Sequence, residues 1–164
     1  MENLILNQFV DQETCLACKG CCRFKEERSL WRPRLLESEI QGIAQEFVDK
    51  DFRIKAIVSK GKNICSFLDE EKHYCQIYSK RPFECALYPF MVIKKQEGFF
   101  VAMHLACPAI QEKRESKEFD SYLSELKIFF CSIQNKEELK KMATIYSDSS
   151  KELEILFSIL EDDS

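Results

Sequence analysis

Four of the nine cysteines fall within eight residues, Cys15-Leu16-Ala17-Cys18-Lys19-Gly20-Cys21-Cys22. Thiols held this close oxidise, cross-link and misfold unless something occupies them. The spacing points to a metal ion or an iron–sulfur cluster. C-x2-C lets two thiolates meet one metal across a tight turn, and C-x2-C-x2-C can feed three corners of a cubane cluster. If the run is helical, Cys15, Cys18 and Cys22 share a face and Cys21 points away from them. If Gly20 breaks the helix at a positive φ, Cys21 swings back toward the first pair. In both cases the side chains of Cys21 and Cys22 are expected to diverge, so that one of them reaches a second metal or a second edge of a multinuclear site. Buried apolar thiols are the plain alternative, but such thiols have no reason to gather at ligand spacing.

The 24 basic and 28 acidic residues leave a net charge of −4, which argues against general binding to nucleic acid or anionic membrane. Arg23, Lys25, Arg28, Arg32 and Arg34 lie together after the cysteine run and read as a solvated loop or face. The N-terminus Met1-Glu2-Asn3 lacks a basic region, and Leu4-Ile5-Leu6 is too short for the apolar core of a signal peptide. No apolar run approaches the ~18 residues of a membrane span. A cytoplasmic protein with reduced thiols is therefore expected, which favours metal over disulfide. Hydrophobic residues make up 45% of the 164, enough for a sizeable core, and thirteen of them are Phe.

Along the chain, Leu4, Leu6 and Phe9 are expected to pack on the body as a lead-in. Leu36, Ile40, Ile43, Ala44 and Phe47 recur at helical spacing. Ile54, Ala56 and Val58 alternate as in a strand, and residues 59–63 form a turn. Residues 64–68 and 74–78 suggest a small irregular hairpin with Cys65 and Cys75 on its arms. Pro82 suggests a short helix carrying Cys85, ended before Pro89. A second hairpin joins residues 90–94 to 99–105 around residues 96–98. Phe119, Tyr122, Leu123, Leu126, Phe129, Phe130 and Ile133 make a helical stripe. Asn135 with Glu138 suggests a helix start, residues 147–150 a break, and Leu153, Leu156, Phe157 and Leu160 a last short helix. The predicted fold is α+β and mainly helical. A small irregular cysteine-rich core with short hairpins, residues 1–114, is followed by a helical extension packed on it, residues 115–164.

Cys65, Cys75 and Cys85 share no local motif, so only the fold can bring them together. Cys107 precedes Pro108, as the last cysteine of some cluster-binding runs does. Cys131, beside Phe129 and Phe130, reads as a core thiol. The metal ligands expected are then Cys15, Cys18, Cys21, Cys22, Cys65, Cys75, Cys85 and Cys107, two sets of four. Arg81 can face a negatively charged metal–thiolate centre or be a surface charge, and Tyr78 and Tyr88 can donate to thiolate sulfur or fill the core. His104 stands three residues before Cys107, placed as a ligand or general base; His73 reads as a turn residue. Arg81, Tyr88 and His104 are the side chains expected around a cofactor.

In order, Cys15-x2-Cys18-x2-Cys21-Cys22, Cys65-Ser-Phe-Leu, Cys75-x-Ile-Tyr-x-x-Arg81-Pro82-x-x-Cys85-x-x-Tyr88-Pro89 and Cys107-Pro108 resemble the CxxCxxCC cysteine-cluster family. It is described as zinc- or iron-chelating and includes YkgJ-type bacterial proteins. The resemblance covers residues 12–110 and implies metal binding through the eight positions. Flagellin lysine-N-methylases contain a related cluster, which brings in a metal- or Fe–S-dependent enzyme of redox or group transfer. Three readings follow: a protein whose zinc, iron or iron–sulfur centre is structural, stored or sensed; an enzyme with an open metal site; and a metal-scaffolded module whose C-terminal helices meet a protein partner. Walker, G-x-G-x-x-G, nucleophile-elbow and zincin motifs are missing.

Overall fold

The computed structural model describes residues 6–18, 20–96, 98–145 and 151–159; for residues 133–135 and 144–145 it describes the backbone alone. The chain packs as two compact units, Asp11–Ala86 and Met1–Val10 with Leu87–Ser164.

In the unit Asp11–Ala86, helix α1 (Gln12–Cys18) starts behind Asp11, whose carboxylate accepts the Thr14 N–H at 2.8 Å and the Thr14 hydroxyl at 3.1 Å. Strands β1 (Arg23–Phe24), β2 (Ala56–Ser59) and β3 (Lys62–Cys65) make an antiparallel sheet in the order β1-β3-β2. The β2–β3 turn places Lys60 at φ 49° and Gly61 at φ 74°, the two left-handed residues that match the strand twist. Helix α2 is one turn (Glu37–Ile40), where apolar spacing suggests a helix reaching Phe47. Residues 41–44 leave the helix, and a 3-10 turn follows at Gln45–Phe47. Strands β4 (Leu68–Asp69) and β5 (Tyr74–Cys75) pair with Leu68 opposite Cys75, and α3 spans Phe83–Leu87. Cys65 therefore ends one hairpin and Cys75 belongs to the next, rather than the two sitting on arms of the same one.

The core of this unit is Phe24, Leu35, Ile54, Ile64, Cys65 and Leu68. Beside it runs a buried charge network. Arg32, expected in a solvated basic stretch, is 6% exposed and meets the Asp49 carboxylate at 2.6 Å. Burial alone would raise the Asp49 pKa. Hydrogen bonds from the Arg53 N–H, the Arg32 guanidinium and the Asp51 N–H outweigh it and hold the carboxyl below its usual range. Arg53, 5% exposed, donates to the carbonyls of Leu30 at 3.0 Å and Arg32 at 2.6 Å.

The second unit centres on the hairpin β6 (Phe90–Lys95) and β7 (Gly98–His104). These are flanked by β8 (Thr144–Ile145), parallel to β6, and β9 (Leu153–Ser158), antiparallel to β7. Phe90 to Ile93 are all buried, as are Val101 to Met103, so the middle of this pair is covered on both faces. Helices α4 (Pro108–Lys113), α5 (Lys117–Cys131) and α6 (Ile133–Lys141) complete it. Ser116 caps α5 by accepting the Phe119 N–H at 3.1 Å, and Phe119, Tyr122, Leu126 and Phe130 form its buried stripe. Phe9 packs among Phe90, Phe119 and Tyr122 at centroid distances of 5.6, 5.8 and 5.1 Å. The Tyr122 hydroxyl donates to the Asn7 carbonyl at 2.6 Å.

The mainly helical expectation is wrong: 35% of the described residues are helical and 26% are strand. Its largest error is the last segment, a strand rather than a helix. Leu153, Leu156 and Phe157 suit a helical face, but Leu153, Ile155 and Phe157 also alternate, and β7 offers an edge on which to pair. Helix α6 begins behind Ser132, ahead of the expected start at Asn135. Residues 147–150 lie outside the described residues. Cys131 is exposed and not a core thiol. Phe130, one position earlier, takes the buried face, and a helical step of about 100° turns the next side chain outward. Phe130→Ala is expected to cost about 3–5 kcal/mol, whereas Cys131→Ser should stay within about 0.5 kcal/mol; urea unfolding of the two variants checks both.

Candidate metal centre

Seven of the eight cysteines expected as ligands lie in the unit Asp11–Ala86, and Cys107 lies in the other. Cys15 and Cys18 sit one turn apart on α1. The left-handed glycine is Gly61, not Gly20. Gly20 serves another purpose: a Cβ there would stand 3.1 Å from the Cys18 sulfur, so glycine leaves that sulfur room. The chain then turns, with the Arg23 N–H donating to the Gly20 carbonyl at 3.1 Å. The Cys22 carbonyl accepts the Cys65 N–H at 2.9 Å, which binds the cysteine run to the end of β3.

Cys75 is carried by β5 and Cys85 by α3, where the Cys85 N–H donates to the Pro82 carbonyl at 3.0 Å. Two carboxylates tie α3 to the preceding segment. Glu39 accepts the Phe83 N–H at 2.6 Å and the Leu36 N–H at 2.8 Å, and Glu84 accepts the Arg34 N–H. Glu39 suits a helix N-terminus in the sequence, but nothing there signals that either glutamate reaches a backbone N–H of a distant segment.

Four of the thiols are pushed upward by burial and by one another. Burial pushes Cys65 up to about 11, with the charges of Cys75 and Cys21 adding to it. Burial also raises Cys75. It raises Cys85 well above the usual thiol range, aided by the charges of Cys65, Cys21, Glu84 and Cys75. Cys21 is raised well above that range first by the hydrogen bond to Cys22 and then by burial. Within the set Cys21, Cys65, Cys75 and Cys85, charge on one thiol opposes ionisation of the others. Opposing influences stand in place. The Phe67 N–H donates to the Cys65 sulfur and the Ile77 N–H to the Cys75 sulfur, and the Arg81 charge favours thiolate at Cys21 and Cys75. Among the described residues, no three His, Cys, Asp or Glu side chains are arranged to hold an ion as they stand. The donor chemistry nonetheless fits zinc or iron: soft sulfurs, with N–H donors and a cation ready for the charge they gain on losing protons.

Of the other expected residues, Cys107 is buried and caps α4 ahead of Pro108. Arg81 belongs to the cysteine-bearing unit, and Tyr88 and His104 to the other. The Tyr88 hydroxyl and His104 Nδ1 are 2.7 Å apart, and burial lowers the His104 pKa against the raising charge of Glu152. His73 is a turn residue as expected, at φ 53°, with its Nδ1 3.1 Å from the Arg23 guanidinium.

The family profile described as "Putative zinc- or iron-chelating domain", CxxCxxCC, matches residues 14–108. The chain belongs to this family of metal-binding proteins, and zinc or iron is its ion. No solved structure matches the chain. Among the described residues, no helix is long and apolar enough to cross a membrane.

Burial raises Glu84 from 4.5 to about 7, against the Arg34 N–H bond and the charges of Arg53 and Arg34. A raised carboxyl favours the folded state while protonated, so this contribution is whole below about pH 4.5 and fades as pH rises through about 7. In metal-free protein it should remove on the order of 2–3 kcal/mol over that range. Glu84→Gln should abolish this part of the fall, read from urea midpoints across pH.

Proposed function

We propose that the unit Asp11–Ala86 holds a zinc or iron ion through the thiolates of Cys21, Cys65, Cys75 and Cys85, and that the ion serves chiefly to staple the unit. What supports the reading is the match of residues 14–108 to a zinc- or iron-chelating family, together with the influence that these four thiols, drawn from a turn, two hairpins and a short helix, exert on one another's ionisation. Cys15, Cys18 and Cys22 of the same unit supply a second set of sulfurs, suited to a further ion or to an edge of a multinuclear centre. A divalent ion stabilises the thiolates that burial and mutual repulsion disfavour, so binding and loss of thiol protons go together. The need for a staple follows from the size of the elements: two-residue strands at β1, β4 and β5, and a one-turn helix at α2. Ligand binding and folding are then coupled, and removal of the metal loosens this unit.

Anaerobic purification with metal analysis and an absorption spectrum tests the reading. A broad visible band marks iron–sulfur, and a colourless protein with bound zinc marks closed thiolate sites. Cys65→Ser and Cys75→Ser should each lower metal content and the unfolding temperature, while Cys131→Ser leaves both unchanged. Full occupancy in the first two variants would overturn the assignment. Because zinc binding displaces thiol protons, the apparent zinc affinity should rise with pH by up to about tenfold per pH unit for each proton displaced. Competition titrations between about pH 6 and 8 read that slope.

A further inference from the structure

We infer that β9 is the surface through which two copies of this chain pair, edge to edge, into one continuous antiparallel sheet. β9 ends its sheet: among the described residues it pairs with β7 on one side and with no strand on the other. Such an edge is usually blunted by lysine, proline or shortness. This one is six residues long, reads Leu-Glu-Ile-Leu-Phe-Ser, and leaves Ile155 43% exposed. A second copy is the occupant because the strand is complementary to itself, in backbone and in charge. The pairing with β7 slips once: Val101 opposes Phe157 and Ala102 opposes Ile155, which makes Leu156 an extra residue. At the two ends the Leu105 N–H donates to the Glu152 carbonyl, and the Ile159 N–H to the Phe99 carbonyl. Alternation from these ends turns the backbone groups of Glu154 and Phe157 toward β7, and those of Leu153, Ile155, Leu156 and Ser158 outward. A two-fold axis between Ile155 and Leu156 then sets outer residue against outer residue. Leu153 opposes Ser158 of the second copy, and Ile155 opposes its Leu156. A shift of one residue either way opposes Glu154 and Phe157 to outer residues and breaks the match. The same register sets Glu154 opposite Phe157 of the second copy. Both side chains face the helices: Glu154 meets Arg114 at 2.9 Å, and Phe157 packs on Phe130 with ring centroids 6.4 Å apart. The ammonium of the exposed Lys127 stands 5.9 Å from the Phe157 ring centroid. Each Glu154 carboxylate is thereby brought beside Lys127 of the other copy, an opposite-charge contact made twice per dimer.

Sedimentation of the full chain reads the assembly, under reducing conditions that keep exposed thiols such as Cys131 from linking copies. The chain should dimerise in the micromolar range, and a monomer up to about 0.5 mM would overturn the inference. Glu154→Lys and Lys127→Glu should each weaken the dimer by more than about tenfold, because each puts two like-charge contacts across the axis. Mixing the two variants should restore dimerisation, since the mixed pair carries one natural and one reversed opposite-charge contact. Wild-type affinity in either variant alone overturns the pairing, and so does loss in both with no recovery on mixing. If Glu154→Lys, which gives up the Arg114 ion pair, does not fold, Lys127→Glu decides: an unchanged dimer overturns the inference, and a weakened one supports it.

Discussion

The hydrogen bond from the Cys65 N–H to the Cys22 carbonyl, 2.9 Å long, is the joint on which the cysteine-bearing unit depends. It continues the pairing of Arg23 with Ile64 and fastens the N-terminal cysteine run to the end of β3. From there the neighbourhood assembles by short steps. The β4–β5 hairpin follows β3 and carries Cys75, and a 3-10 turn and proline lead into the helix that carries Cys85. Glu39 and Glu84, by accepting backbone N–H groups, hold that helix against the segment around Arg34 and Leu36.

Burial and ionisation pull in opposite directions at the thiols. Packing them together in a partly dry place raises their pKa values, which costs nothing while they stay protonated. A metal ion reverses the sign, because each neighbouring thiolate then stabilises the ion instead of opposing the next ionisation. The Phe67 and Ile77 N–H groups and the Arg81 charge act against that rise, lowering the thiol pKa values. The unit is stiffened elsewhere by the Arg32–Asp49 pair and the carbonyl bonds of Arg53, beside a small apolar core. The other unit relies on a different device, an aromatic core in which Phe9, Phe90, Phe119 and Tyr122 meet ring to ring.

Some of this is legible in the sequence for physical reasons. The α5 stripe repeats at helical period over four turns, and no strand explains it. The β6–β7 hairpin stands out because two apolar runs flank a polar turn. The Cys85 helix follows from Pro82. The misread elements are those whose local pattern fits two structures. Leu153 to Phe157 became a strand because β7 had an edge to pair. The face from Leu36 to Phe47 was too weakly periodic to hold a helix together once residues 41–44 turned away.

The sequence by itself determined the chemistry: nine cysteines, four of them within eight residues, in a chain whose residues 14–108 match a zinc- or iron-chelating family. Cysteine spacing is a local property and survives in one dimension. How the elements carrying Cys21, Cys65, Cys75 and Cys85 are tied together was decided only by the tertiary structure, through strand pairing and two glutamates that accept backbone N–H groups from separate segments. The same holds for Gly20, whose missing side chain matters only because a sulfur lies 3.1 Å from where it would stand.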